Sequence, residues 1–211
     1  STLSAALQGR FVWLGLDFAD VSGVAFEAVG VMSGPMMQAR ELSTDAVGWF
    51  NLGPRVLGMV FGALIGGWIS DRWGRRRTVG LALVALAVTV AGAGASMVWE
   101  GPPGDAALLA MLSAVYLLIG AFTASSYAMF MDLADPEAAG VEFSAFMGAT
   151  NLCEMWAAAA MGAMLGAEWG FPWSLTLLAA ASLAALPILR FLPSGRRPGP
   201  ATSDASAPAQ S

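Results

Sequence analysis

Gly67-Trp68-Ile69-Ser70-Asp71-Arg72-Trp73-Gly74-Arg75-Arg76-Arg77 is the stretch on which the fold turns. It closes one apolar segment, residues 46–70, and opens onto another, 78–99, which contains no charge. A helix that crosses a bilayer needs roughly 20 mostly apolar residues. A charged turn between two segments of that length predicts a helical hairpin through a membrane. Four of the charges are Arg, and Arg-rich turns stay on the cytoplasmic side.

Working outward from the turn, the same pattern recurs. Segments 106–131 and 169–189 are free of charge, and 11–37, 46–70 and 141–167 are apolar with embedded charges. With 78–99 these make six expected transmembrane helices and an all-α membrane protein. The breaks between them are polar or turn-forming: 38–45, the EGPPGD run at 100–105, DLADPEAAG at 132–140, and AEWGF at 167–171. Pro136 bars helix continuation in the third of these. Residues 1–10 read as a cytoplasmic lead-in, 11–192 as the bundle, and 193–211 as a disordered cytoplasmic tail rich in Pro, Gly and Ser. The chain opens with Ser, its first apolar segment is too long for a signal peptide, and a truncated upstream part is the simplest explanation.

With the N-terminus inside, Arg10, Arg72, Arg75, Arg76, Arg77, Arg190, Arg196 and Arg197 fall on the cytoplasmic side, and only Arg40 falls outside. This expects an integral plasma-membrane protein (a bacterial inner membrane suits it) with both termini of the segment cytoplasmic. Trp13, Trp49, Trp73, Trp99, Trp169 and Trp173 sit near segment ends, as interfacial residues do.

Composition excludes much else. The 211 residues are 57% hydrophobic and 12% charged, against about 25% charged in soluble domains. A net charge of −5 and no basic stripe exclude nucleic acid as a partner. There is no His and no Lys, so imidazole metal sites, Ser-His triads and Schiff-base chemistry are absent. The single Cys153 permits no internal disulfide. No metal, cofactor or catalytic residue is expected, and an enzyme is not. A carboxylate-only enzyme built on Glu27 and Glu154 is the weak remaining alternative.

The 67–77 turn resembles the loop signature of the major facilitator superfamily, G-x-x-x-D-R-x-G-R-R, at Gly67, Asp71, Arg72, Gly74, Arg75 and Arg76. In physical terms Gly67 would allow close helix contact, and Gly74 a tight turn. Asp71 would pair with an Arg or sit at a neighbouring helix N-terminus, a contact that forms in one conformation and breaks in another. The resemblance implies a secondary transporter whose two six-helix halves rock around a midplane site. That family repeats the signature in each half. The first half usually carries an Arg early in its fourth span, which 106–131 lacks, and a long tail suits a C-terminus. The six spans therefore resemble the C-terminal half, with a missing N-terminal half, or a second copy of this chain, as partner beside the lipid bilayer and a small-molecule solute. Residues 127–144, Tyr127-Ala-Met-Phe-Met-Asp132 through Gly140-Val141-Glu142-Phe-Ser, are also loosely similar to a connection in muropeptide permeases and acetyl-coenzyme A transporters. Val141 and Glu142 depart from that pattern, where Thr and often Gln stand.

A charge within the bilayer costs at least about 2.5–3.5 kcal/mol at the centre, so each needs a partner, a wet cavity or a task. In the first segment Asp17, Asp20 and Glu27 fall within about 80° of one another around a helix. Asp17 lies close enough to the interface to be simply hydrated, and Asp20 stands between hydration and function. Glu27 is a candidate for substrate or proton binding. In the second segment Asn51 and Arg55 share a face, and Arg55 lies roughly 14 Å in from the outer end. It would bind an anionic solute or neutralise Glu27 or Glu154. Asn151 and Glu154 pair similarly in the fifth segment, and Glu154 near the midplane is a candidate proton carrier.

Gly58, Gly62 and Gly66 on the second segment, and Ala158, Gly162 and Gly166 on the fifth, make small-residue faces that allow close packing or form a gate. The leading expectation is a secondary transporter of a small solute, by alternating access with proton coupling. The alternative is a non-transporting scaffold or assembly factor of the same architecture.

Overall fold

The computed structural model describes residues 9–99 and 103–193. Most of the lead-in, the 100–102 part of the EGPPGD turn and the tail from 194 onward lie outside the described residues.

Every expected apolar segment is helical. The first consists of α1 (Arg10–Ser22) and α2 (Val24–Ala39), interrupted at Gly23. The interruption is mild: Gly23 keeps a right-handed helical φ, and its carbonyl accepts from the amides of Phe26 and Glu27, both at 3.0 Å. The second begins with α3 (Thr44–Phe50), capped by Ser43, whose hydroxyl accepts from the amide of Ala46 at 3.2 Å. It widens into a π-helical turn over Asn51–Arg55 and continues as α4 (Val56–Trp73). Pro54 has no N–H to give to the helix ladder, and the wider turn absorbs the break. Then come α5 (Arg75–Trp99), α6 (Asp105–Leu133) and α7 (Ala139–Gly166). The last segment is α8 (Gly170–Ser182), a 3-10 turn at Leu183–Ala185, and α9 (Leu186–Leu189).

Four of these helices are long and apolar enough to cross a membrane: Thr44–Trp73, Arg75–Val98, Asp105–Leu133 and Gly170–Leu189. The other two depart from a simple span for physical reasons. The interruption at Gly23 leaves helices of 13 and 16 residues, each short of the roughly 20 required. Helix α7 has the length, at 28 residues, but Glu142, Asn151, Glu154 and its Gly residues lower its apolarity.

Lipid tails offer no hydrophobic drive between helices, so close packing of small residues holds such a bundle together. The tightest pairing is α4 along α6. A Cβ on Gly62 would overlap the Leu117 carbonyl, and one on Gly120 the carbonyl of Met59. Helix α5 packs on α8, where Gly94 admits the Pro172 carbonyl and the Thr176 side chain. Helix α1 packs on α7, where Gly15 makes room for the Phe146 ring. Phe146 stacks on Phe130 at 5.0 Å, and Phe18 meets Phe130 edge-on at 6.2 Å. Two faces point outward: the Leu52, Val56, Val60, Leu64 and Trp68 ridge of the second segment, and the Gly148, Leu152, Met155, Gly162 and Gly166 face of α7.

Candidate functional site

The first and fifth segments bring their acids to one place. Glu27 from α2, and Asn151 and Glu154 from α7, line a cavity of about 210 Å³. Helix α4 contributes Met59, and α6 contributes Ile119, Phe122, Thr123, Ser126 and Tyr127. One wall is apolar, with Phe26 and Phe122 in ring contact at 5.8 Å. The other is polar, with two carboxyls, an amide and hydroxyls. Such a wall can hold a proton or hydrogen-bond a solute, and the apolar wall can take a hydrocarbon body.

Asp20 lies elsewhere. Its carboxyl and carbonyl oxygens accept from the Trp156 indole N–H at 3.2 and 3.1 Å, which ties α1 to α7. Asp17 is exposed.

Arg55 joins neither acid. Its Nη1 donates to Asn51 Oδ1 at 3.0 Å, and Asn51 Nδ2 donates back to the Val47 carbonyl at 2.9 Å. The guanidinium lies over the Tyr116 ring, 4.8 Å from its centroid. Tyr116 is buried, and its hydroxyl shares a 3.0 Å hydrogen bond with Ser33. The cluster therefore links the first, second and fourth segments. The expectation that Arg55 neutralises Glu27 or Glu154 is corrected: among the described residues it forms no ion pair, because the π-helical turn delivers it to Tyr116.

At the 67–77 turn, Gly74 adopts φ +92°, a conformation that favours glycine, and ends α4 so that α5 can start at once. Arg75 forms an ion pair with Asp132 at 2.9 Å and donates to the Ala128 carbonyl at 2.7 Å, joining the turn to the end of α6. Arg76 donates to the Leu192 carbonyl at 3.1 Å. Arg72 lies over the Trp68 ring at 5.5 Å. Two expectations change here. Asp71 is exposed and has no ion pair among the described residues, since Arg75 turns to Asp132 instead. Gly67 makes no close helix contact; nothing lies within 4 Å of the Cβ it lacks, and Gly66, one residue back, is the glycine that faces α6.

Comparison with known families settles the architecture's kinship. The family model of the Major Facilitator Superfamily matches residues 21–210. The chain belongs to the major facilitator superfamily. It is similar to the 3-(3-hydroxy-phenyl)propionate transporter of Escherichia coli (strain K12), 37% identical over 79 residues. That match covers 36% of this chain and 19% of the relative, so the chain spans about a fifth of that relative's length. No solved structure matches.

Within this major facilitator chain the two small-residue faces differ. Gly58, Gly62 and Gly66 are spent on α6, whereas Gly162 and Gly166 face open space, and Ala158 is half-buried. Among the described residues no three His, Cys, Asp or Glu side chains gather as a metal would need. Sequence reasoning missed three groups. Asp132 holds Arg75. Glu142, buried at 2% exposure, accepts from the Asp135 amide at 2.9 Å and organises the α6–α7 connection. Tyr116 carries the Arg55 cation. Asp132 and Glu142 both lie in the 127–144 stretch that resembles other permeases.

Proposed function

We propose that this chain forms one half of a secondary transporter that moves a small organic solute by alternating access, with Glu27 and Glu154 carrying a coupled proton. The supporting observation is the shared cavity. Two carboxyls from segments far apart in sequence face one space together with Asn151 and Tyr127. Neither has an ion-pair partner among the described residues, so both carboxyls are free to hold a proton or to accept a hydrogen bond from a solute. The similarity to an aromatic-acid transporter supports a small organic cargo. All six helical segments are read as spans. The Arg75–Asp132 contact is read as a latch at the cytoplasmic end that releases when the cavity changes sides.

The test is uptake into membrane vesicles by the chain in its native assembly. Glu27→Gln and Glu154→Gln should each abolish accumulation driven by a pH gradient while solute exchange at equal concentrations continues. Full gradient-driven accumulation in both variants overturns the coupling, and loss of neither uptake nor exchange on deleting the protein overturns transport itself.

A further inference from the structure

We propose that Arg55 reads a carboxylate on the solute, so that the cargo is an organic anion with an apolar body. This rests on the transporter reading and names its substrate class. Arg55 is a permanent cation within a segment long and apolar enough to span a membrane. A cation there calls for compensation, yet no carboxylate pairs with it among the described residues. Its contacts hold it without neutralising it. The Tyr116 ring supports the guanidinium from one side, and the Asn51 amide oxygen takes Nη1 alone. Among the described residues the guanidinium donates through Nη1 and through neither Nε nor Nη2, which leaves two parallel donors of the kind a carboxylate accepts. The seat is fixed in turn, because Ser33 holds the Tyr116 hydroxyl and the π-helical turn sets Asn51 beneath Arg55.

Arg55 does not line the cavity, but it and Tyr116 each stand one helical turn from a residue that does. Met59 follows Arg55 by one helical turn, and Ile119 follows Tyr116 by one turn, and both line the cavity. A solute with its carboxylate at Arg55 would lay its body against Met59, Ile119 and Phe122. The polar wall with Glu27 and Glu154 would remain for the proton.

The experiment compares 4-phenylbutyrate, 4-phenylbutylamine and 4-phenylbutanol, which share one body and differ in head charge. Their binding to vesicles containing the protein is measured at equilibrium, with no gradient. The carboxylate should bind best. Arg55→Gln should weaken it about tenfold or more, the scale of a lost charged hydrogen-bonded contact, and leave the alcohol unchanged. Asn51→Asp keeps the arginine and presents it with a carboxylate of its own, and should weaken phenylbutyrate similarly. Equal or tighter binding of the amine or alcohol overturns the inference, as does unchanged carboxylate affinity in both variants. Carboxylate binding that depends on Arg55, without gradient-driven uptake, supports the inference and counts against the transport reading alone.

Discussion

A glycine one residue from another can have a wholly different task, as Gly66 and Gly67 show. A Cβ at Gly66 would lie 2.5 Å from the Ala121 Cα, whereas one at Gly67 would meet nothing within 4 Å. Gly66→Ala should therefore destabilise the bundle by about 1–3 kcal/mol through overpacking, and Gly67→Ala should stay within about 0.5 kcal/mol. Unfolding of both variants in mixed micelles measures the difference; equal effects would contradict the packing. The small-residue face was legible in the sequence, because Gly58, Gly62 and Gly66 repeat at four-residue spacing. Its partner was not, since spacing gives a stripe on one helix and says nothing of which helix covers it. The site shows the same division. Glu27, Arg55, Asn151 and Glu154 were visible as polar residues in apolar runs, and three of the four share the cavity. That Arg55 stands apart depends on a local widening of the helix, for which Pro54 was the only sequence sign.

At the scale of elements, the turn between α4 and α5 is braced by side chains from outside it. Arg75 reaches Asp132 and the Ala128 carbonyl at the end of α6. Both partners of the ion pair are partly exposed, at 35% and 24%, so the pair contributes about 0.2–1 kcal/mol to stability. Its greater effect should be on exchange between conformations. Arg75→Gln and Asp132→Asn should each alter the transport rate, and the exchanged pair Arg75→Asp with Asp132→Arg should recover part of the loss. A double-mutant cycle on uptake rates checks this, and additive losses without recovery would deny the contact a role. The turn itself could be read from Gly74 and its arginines. The interruption between α1 and α2 also had a sign, the Ser22-Gly23 pair, since such pairs are places where helices bend. The pairing of Arg75 with Asp132 had none, because many acids lie at segment ends and only tertiary packing selects one.

For the whole molecule, orientation is the property that the arginines argue most directly. The proposed arrangement puts Arg75, Arg76 and Arg77 in the cytoplasm and Gln38 outside. Cys153 is fully buried and should stay silent to a membrane-impermeant thiol reagent. A cysteine at Gln38 should then label in intact cells, and one at Arg77 only after the membrane is opened; the reverse pattern inverts the topology. Among the described residues each of the six apolar runs is helical, and four of the helices have the length and apolarity of a span, so the all-α membrane architecture was readable. The apolarity of single runs was a poorer guide. Helix α7 is too polar to qualify alone, yet it packs on α1, α2 and α8 and turns Asn151 and Glu154 to the cavity.

The hydrogen bond from Arg76 to the Leu192 carbonyl ties the basic turn between α4 and α5 to the stretch just after α9. Mechanically this is a tether point. Anything that pulls on the chain beyond residue 193, whether a fused reporter, a bound partner or an immobilising surface, loads the same turn that Arg75 fastens to α6. Force applied beyond residue 193 is thereby delivered to the contact proposed as the latch, Arg75 with Asp132.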